Sequence, residues 1–222
     1  MDKIVCLGKN YREHALEMGG PVGEKPVLFL KPPSVALWSP GVGATVRVPV
    51  PAGRGAVHHE CEIVLRIGRD GRGLSADRAR EVVDAVTLGL DMTLRDLQAE
   101  LRAKGHPWEV SKVFPGAAVV GPWIEGEERL TQLDAEFEFR LDGMVKQRGR
   151  ASEMTLDWAR SVAHASAFFP LCAGDLVFTG TPAGVGPVAA GQTGELVWGG
   201  RTLMRVAFVT GTDAGSGESK PD

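Results

Sequence analysis

Cysteine is scarce in this chain: three in 222 residues, Cys6, Cys61 and Cys172, none in a CxxC pair. That spacing speaks against a thiolate zinc site and for a thiol-reducing cytoplasm as the expected location. No apolar run approaches the ~20 residues that a membrane helix needs. The opening MDKIVCLG has neither the basic start nor the apolar stretch of a signal peptide. Charge of one sign is also lacking. The net charge of -3 gives no reason to expect nucleic acid or an acidic membrane as a partner. No serine sits in a GxSxG elbow, and no GxxxxGK[ST] loop occurs. What is there is globular: 43% apolar and 24% charged residues. Gly at 29 and Pro at 14 imply many turns and a strand-rich architecture.

Local patterns predict the elements. KIVCL (3–7) reads as a short strand. After it, Asn10 is the expected cap of a helix ending at Gly19 and Gly20. PVLFL (26–30) reads as a buried strand and the proline-bearing TVRVPVP (45–51) as an edge segment. Ser75 or Asp77 would cap a helix running to about Val86, with Val82, Val83 and Val86 as its apolar stripe. LGLDM (88–92) is a brief strand. Thr93 would cap a second helix, with Leu94, Leu97 and Leu101 inward and Gly105 at its end. LDAEFEFRL (133–141) alternates into the hairpin signal Asp142-Gly143, a helix is expected at about 155–168, and a second hairpin turns at Gly199-Gly200. Few helices and many scattered strands make a sheet-dominated α+β fold. Residues 1–210 are read as one domain and 211–222 as a disordered tail.

Chemistry concentrates in HHECEIVLRI (58–67). Alternation puts Glu60 and Glu62 on one face of a strand, roughly 7 Å apart. Either this is an ordinary solvated face, or it is half of a metal site. Asp91, at the end of a short apolar strand, could add a third carboxylate or serve the following helix. Three carboxylates would suit Mg²⁺, Mn²⁺ or Ca²⁺, with water or a chelating substrate completing the shell. Zinc on His58 and His59 is disfavoured, because adjacent strand residues face opposite ways. His14 and Glu17 lie one helical turn apart. They form either a surface ion pair or an oriented general base. Lys112, at the start of an apolar stretch, is either a surface charge or an oxyanion stabiliser in a cleft. The loop TGTPAGVG (179–186) offers N–H groups and hydroxyls for a substrate carboxylate.

In order along the chain stand GKNYREHALEM, EKPVLFLKP, HHECE, LDMTLRDLQ, PWEVSKVF and TGTPAGVGP. Together they resemble the fumarylacetoacetate hydrolase family, above all its short acylpyruvate hydrolase-like branch. The resemblance implies a mixed β-sandwich roll with a few peripheral helices, commonly a homodimer. It implies a Mg²⁺ or Mn²⁺ site at Glu60, Glu62 and Asp91. His14 and Glu17 match the family's water-activating dyad, Lys112 and Gln98 its polar residues near the substrate, and Thr181 its carboxylate-gripping threonine. The implied activity is hydrolysis of an acylpyruvate such as fumarylpyruvate or acetylpyruvate. Oxaloacetate decarboxylation or keto–enol tautomerisation on the same platform is the alternative. A non-catalytic module stapled by an ion is the remote one. The implied partner is thus a small 2-oxo acid. Two departures, Ala151 in place of a common threonine and the segment PGAAVVGP (115–122), fall toward the far end of the pocket.

Overall fold

The computed structural model describes residues 1–17 and 25–211. The expected helix end at Gly19 and Gly20 and the tail 212–222 lie outside the described residues. The fold is sheet-dominated α+β. Eight strands form the central sheet. Val27–Lys31, Ile4–Gly8, Leu176–Phe178, Cys61–Ile67, Val83–Asp91, Ala118–Val120 and Ala36–Trp38 follow one another across it, and Ile124–Glu125 pairs with Val83–Asp91. Five strands form a second sheet, with Thr45–Pro51 at its edge. That edge place suits a strand whose prolines cannot donate to a ladder. Three short strands, Gly186–Val188, Val57–His59 and Thr93–Leu94, make the third sheet. No helix among the described residues is long and apolar enough to cross a membrane.

Both hairpins form where turn chemistry demands. Asp142 and Gly143 both take positive φ (49° and 78°), as do Gly199 and Gly200 (57° and 79°). Such turns match the twist of the flanking strands. Asp142 then accepts the backbone N–H of Thr193, tying the two hairpins together.

Five local expectations change. The helix capped by Ser75 covers only Ala76–Val82, and Val83 starts a nine-residue strand to Asp91. Val83 and Val86 pair with Ile67 and Leu65 there, so sheet pairing overrides the helical spacing of the valines. Thr93 is no helix cap: it lies in a strand, and helix Arg95–Ala103 starts without a side-chain cap. On that helix Gln98 is the buried residue, whereas Leu97 and Leu101 are only half-buried. LDAEFEFRL is split: Glu128–Leu133 is a helix and the strand begins at Phe137. Asn10 does not cap helix Arg12–Glu17. Its amide donates to Leu156 O, Ser161 Oγ and Thr179 O and accepts from Leu156 N. Helix Trp158–Phe168 is capped instead by Asp157.

Candidate metal centre and its cleft

The chain crosses from one sheet to another at Glu60, between strands Val57–His59 and Cys61–Ile67. On the second strand Glu62 stands opposite Gly89, and Asp91 N donates to Glu60 O, which sets Asp91 opposite Glu60. Positions 60, 62, 89 and 91 therefore share one face of two paired strands. Three corners of that square carry carboxylates and the fourth is glycine. A Cβ at Gly89 would lie 2.6 Å from Val119 O, so no side chain fits there. This face is not solvated. Glu60, Glu62 and Asp91 are 5%, 1% and 1% exposed, and one carboxylate oxygen from each lies within 4.8 Å of the others.

Cations from three other segments meet them. Lys112 Nζ donates to Glu60 Oε2 and to Asp91 Oδ2, each at 2.8 Å. Lys112 follows a 3-10 turn, Glu109–Ser111, rather than entering a strand as its sequence suggested. Arg95 and the Thr93 hydroxyl donate to Glu60 Oε1. Lys31, fully buried, aims its protons at the carbonyls of Met92, Lys112 and Ala117. Its Nζ also lies 2.7 Å from Asp91 Oδ1. That contact is an ion pair without hydrogen-bond geometry, so Asp91 Oδ1 is buried with no donor. Sequence reasoning missed Lys31 and Arg95. The available signal for Lys31 was a lysine ending an otherwise apolar strand.

The charges shape protonation. Burial alone would push the Glu60 carboxyl up, but Lys112 and Arg95 outweigh it and hold Glu60 well below the usual carboxylate range. Among the described residues Glu62 has no cation of its own, only Gly180 N–H at 2.7 Å. Burial, then Asp91 and Glu60, push its carboxyl well above the usual range. Burial works against the Lys112 ammonium, yet Asp91 and Glu60 more than compensate and hold it charged.

Above the cluster opens a cleft of about 580 Å³, mouth included. Glu60, Lys112, His14 and Gln98 border it, with Phe29 and Trp108 as apolar wall. Phe29 packs edge-on to Trp108 and carries Lys112 Nζ 5.1 Å above its ring. His14 is buried and its Nδ1 lies 3.1 Å from Glu17 Oε2. The other oxygen of Glu17 accepts Gly184 N–H at 3.1 Å. Gly184 has φ +94°, and a Cβ there would strike Lys146 O at 2.1 Å, so the loop needs glycine at that point. Gln98 accepts from Arg95 at 2.6 Å. Thr181 is buried. Its hydroxyl donates to Cys61 O and accepts from Gln147 Nε2, which locks the turn that brings Gly180 to Glu62. His58 and His59 diverge as alternation requires. His59 is buried on Gln147 and Phe139, and desolvation lowers its pKa to about 4.

The donor set fits a divalent cation. Three convergent carboxylates are hard ligands, and a buried carboxylate oxygen without a donor is an atom that such an ion would satisfy. Residues 3–221 match the family model described as fumarylacetoacetate (FAA) hydrolase, C-terminal. The chain belongs to the fumarylacetoacetate hydrolase family. Within that family it is 37% identical to a mitochondrial oxaloacetate decarboxylase of Dictyostelium discoideum, over 86% of this chain and 85% of the relative. It is 34% identical to the oxaloacetate tautomerase YcgM of Escherichia coli, over 91% of both. Its fold matches a fumarylpyruvate hydrolase from Pseudomonas aeruginosa, solved with Mn²⁺ and pyruvate. The TM-score is 0.87 at 35% identity, over 95% of this chain and 91% of that one. The chain is thus of a metal-linked enzyme family.

Proposed function

We propose that this enzyme interconverts the keto and enol forms of a short 2-oxo dicarboxylic acid of the oxaloacetate type. The observation that carries this reading is where Lys112 points. Two of its protons are engaged by Glu60 and Asp91, which keeps its charge at the carboxylate cluster. Hydrolysis would need an oxyanion donor at a second carbonyl farther along the substrate, whereas tautomerisation builds charge only on the C2 oxygen at the cluster. Relatives named for oxaloacetate chemistry across 86% and 91% of the chain support the same choice.

Glu60, Glu62 and Asp91 would hold the divalent cation, Mg²⁺ or Mn²⁺. When bound, it supplies the electrophile that makes C3 of a chelating 2-oxo acid acidic. The remaining work belongs to the protein. Glu17 accepts the Nδ1 proton of His14, which leaves Nε2 as the base. That nitrogen takes a proton from C3 in one direction and returns it in the other, while the C2 oxygen gains or loses its own. The third Lys112 proton meets the charge that builds on that oxygen. Phe29 and Trp108 keep water from one side of it.

Acylpyruvate hydrolysis is the second reading, favoured by the fumarylpyruvate hydrolase fold match and by a His14–Glu17 pair able to activate water. One experiment separates them. The enol absorbance of oxaloacetate is followed with purified protein and Mg²⁺, with fumarylpyruvate and acetylpyruvate alongside and products identified. Faster enol decay without new products, lost with EDTA and in His14→Ala, supports tautomerisation. Release of pyruvate and a second acid from an acylpyruvate, with no effect on oxaloacetate, would transfer the assignment to hydrolysis.

A further inference from the structure

We propose that Lys9 and Arg102 form a second anion subsite in the cleft, for the distal carboxylate of a 2-oxo dicarboxylate. The proposal rests on the reading of this cleft as a 2-oxo acid site and adds what distinguishes its ligand from a monocarboxylate.

Among the described residues four cationic side chains border the cleft: Lys9, Arg95, Arg102 and Lys112. Two are already engaged. Arg95 is held by Glu60 and Gln98, and Lys112 by Glu60 and Asp91. Among the described residues Lys9 and Arg102 make no ion pair, and Glu60 is the one carboxylate that borders the cleft. Near the cluster, three carboxylates already face Lys31, Lys112 and Arg95. Among the described residues the charge left over in the cleft is therefore positive and belongs to the half-buried Lys9 and the exposed Arg102. Low-dielectric walls such as Phe29 and Trp108 strengthen its pull on an anion.

Their placement is fixed relative to the cluster. Arg102 follows Arg95 by seven residues, which sets it on the same face of helix Arg95–Ala103, roughly 10 Å farther along. Arg95 reaches Glu60, so Arg102 serves the part of the cleft away from the carboxylates. Lys9 has φ +63°, a left-handed conformation that a lysine adopts only when its surroundings enforce it. They do. Gly8 ends a strand, and Asn10 is pinned by four hydrogen bonds. The turn also presses on Gly180, where a Cβ would lie 2.8 Å from Asn10 Cβ. Gly180 in turn holds Glu62, so the backbone that carries Lys9 is braced against the cluster itself. A ligand whose 2-oxo acid head sits at the carboxylates then meets, with its other end, two cations that no described carboxylate pairs.

The test is calorimetric binding to Mg²⁺-loaded protein of two matched pairs: oxaloacetate against 2-oxobutyrate, and 2-oxoglutarate against 2-oxovalerate. Within each pair a methyl group replaces the distal carboxylate. Two lengths are used so that reach does not decide the result. Wild type is expected to prefer the dicarboxylate of at least one pair by about tenfold or more. Lys9→Gln/Arg102→Gln is expected to lose that preference and keep its affinity for the monoacid. Thermal unfolding of the double variant verifies its fold. No preference in wild type, or one that survives the double substitution, overturns the proposal. If the preference behaves as expected but oxaloacetate enol decay is not accelerated, the subsite stands and the tautomerase reading falls. If neither member of either pair binds, both fall.

Discussion

Around Glu62, three carboxylates and three cations meet in the core. Around Glu138, on the five-stranded sheet, two carboxylates and three arginines meet at the surface. The casts are alike and the consequences are not. Glu138 takes paired hydrogen bonds from Arg140 and from Arg148, whose side chains are 38% and 57% exposed. Glu136 joins Arg148 and Arg150. Glu138 itself is 9% exposed, but its arginine partners and Glu136 are open to water, which screens these pairs and gives the arginines a substitute partner. In the core cluster no substitute exists. Lys31, Glu62 and Asp91 are at most 1% exposed, so each charge depends on its neighbours. Charge composition does not distinguish a surface ladder from a candidate metal centre. Burial of the cations along with the carboxylates does.

Four measurements would break or sharpen the contrast. The largest effect is expected from Glu60→Ala or Glu62→Ala. Divalent-ion affinity should fall by more than about 100-fold by titration calorimetry, beyond what loss of an outer partner gives. Binding within a few-fold of wild type would remove the cluster as the metal centre. Next is Lys31→Met, which leaves Asp91 Oδ1 without its nearest cation. A loss of about 3–5 kcal/mol in denaturant unfolding is expected. A loss under about 1 kcal/mol would mean that the core cluster behaves like the surface one.

The third is pH. The folded protein holds the Glu62 proton well above the ordinary carboxylate range, and a bound cation needs the carboxylate. Ion binding must therefore expel that proton and tighten as pH rises, by up to about tenfold per unit while Glu62 is the group released. The ion-free protein behaves oppositely. Its Glu62 contribution is greatest below the unfolded pKa and is lost as pH rises toward the folded one. Calorimetry in buffers of different ionisation enthalpy would count the proton, and no release would remove this account of Glu62. The smallest effect is expected from Arg148→Ala. Tm should move by no more than about 3 °C, less in high salt, with ion binding unchanged.

Much of this was legible in the residues. Glu60-Cys61-Glu62 obliged both glutamates to share a face, because strand side chains alternate. Asp142-Gly143 and Gly199-Gly200 marked hairpins, because few other pairs tolerate positive φ at both positions. What misled was ambiguity that only partners resolve. Val82, Val83 and Val86 fit a helix stripe, but Val83 and Val86 found a strand to pair with. Thr93 and Asn10 looked like caps, because a side chain that can satisfy a helix end can equally satisfy Glu60 or a distant carbonyl.

The sequence alone determined the spacing of the carboxylates, the hairpins and the sheet-dominated class, since those follow from backbone periodicity and local sterics. Only the tertiary structure decided that the Glu60–Glu62 face is dry. It also decided that Lys31, Arg95 and Lys112 supply the countercharge, and that Lys9 and Arg102 are left over. Dielectric surroundings and charge partners are set by segments brought together from far along the chain, and no local pattern carries that information.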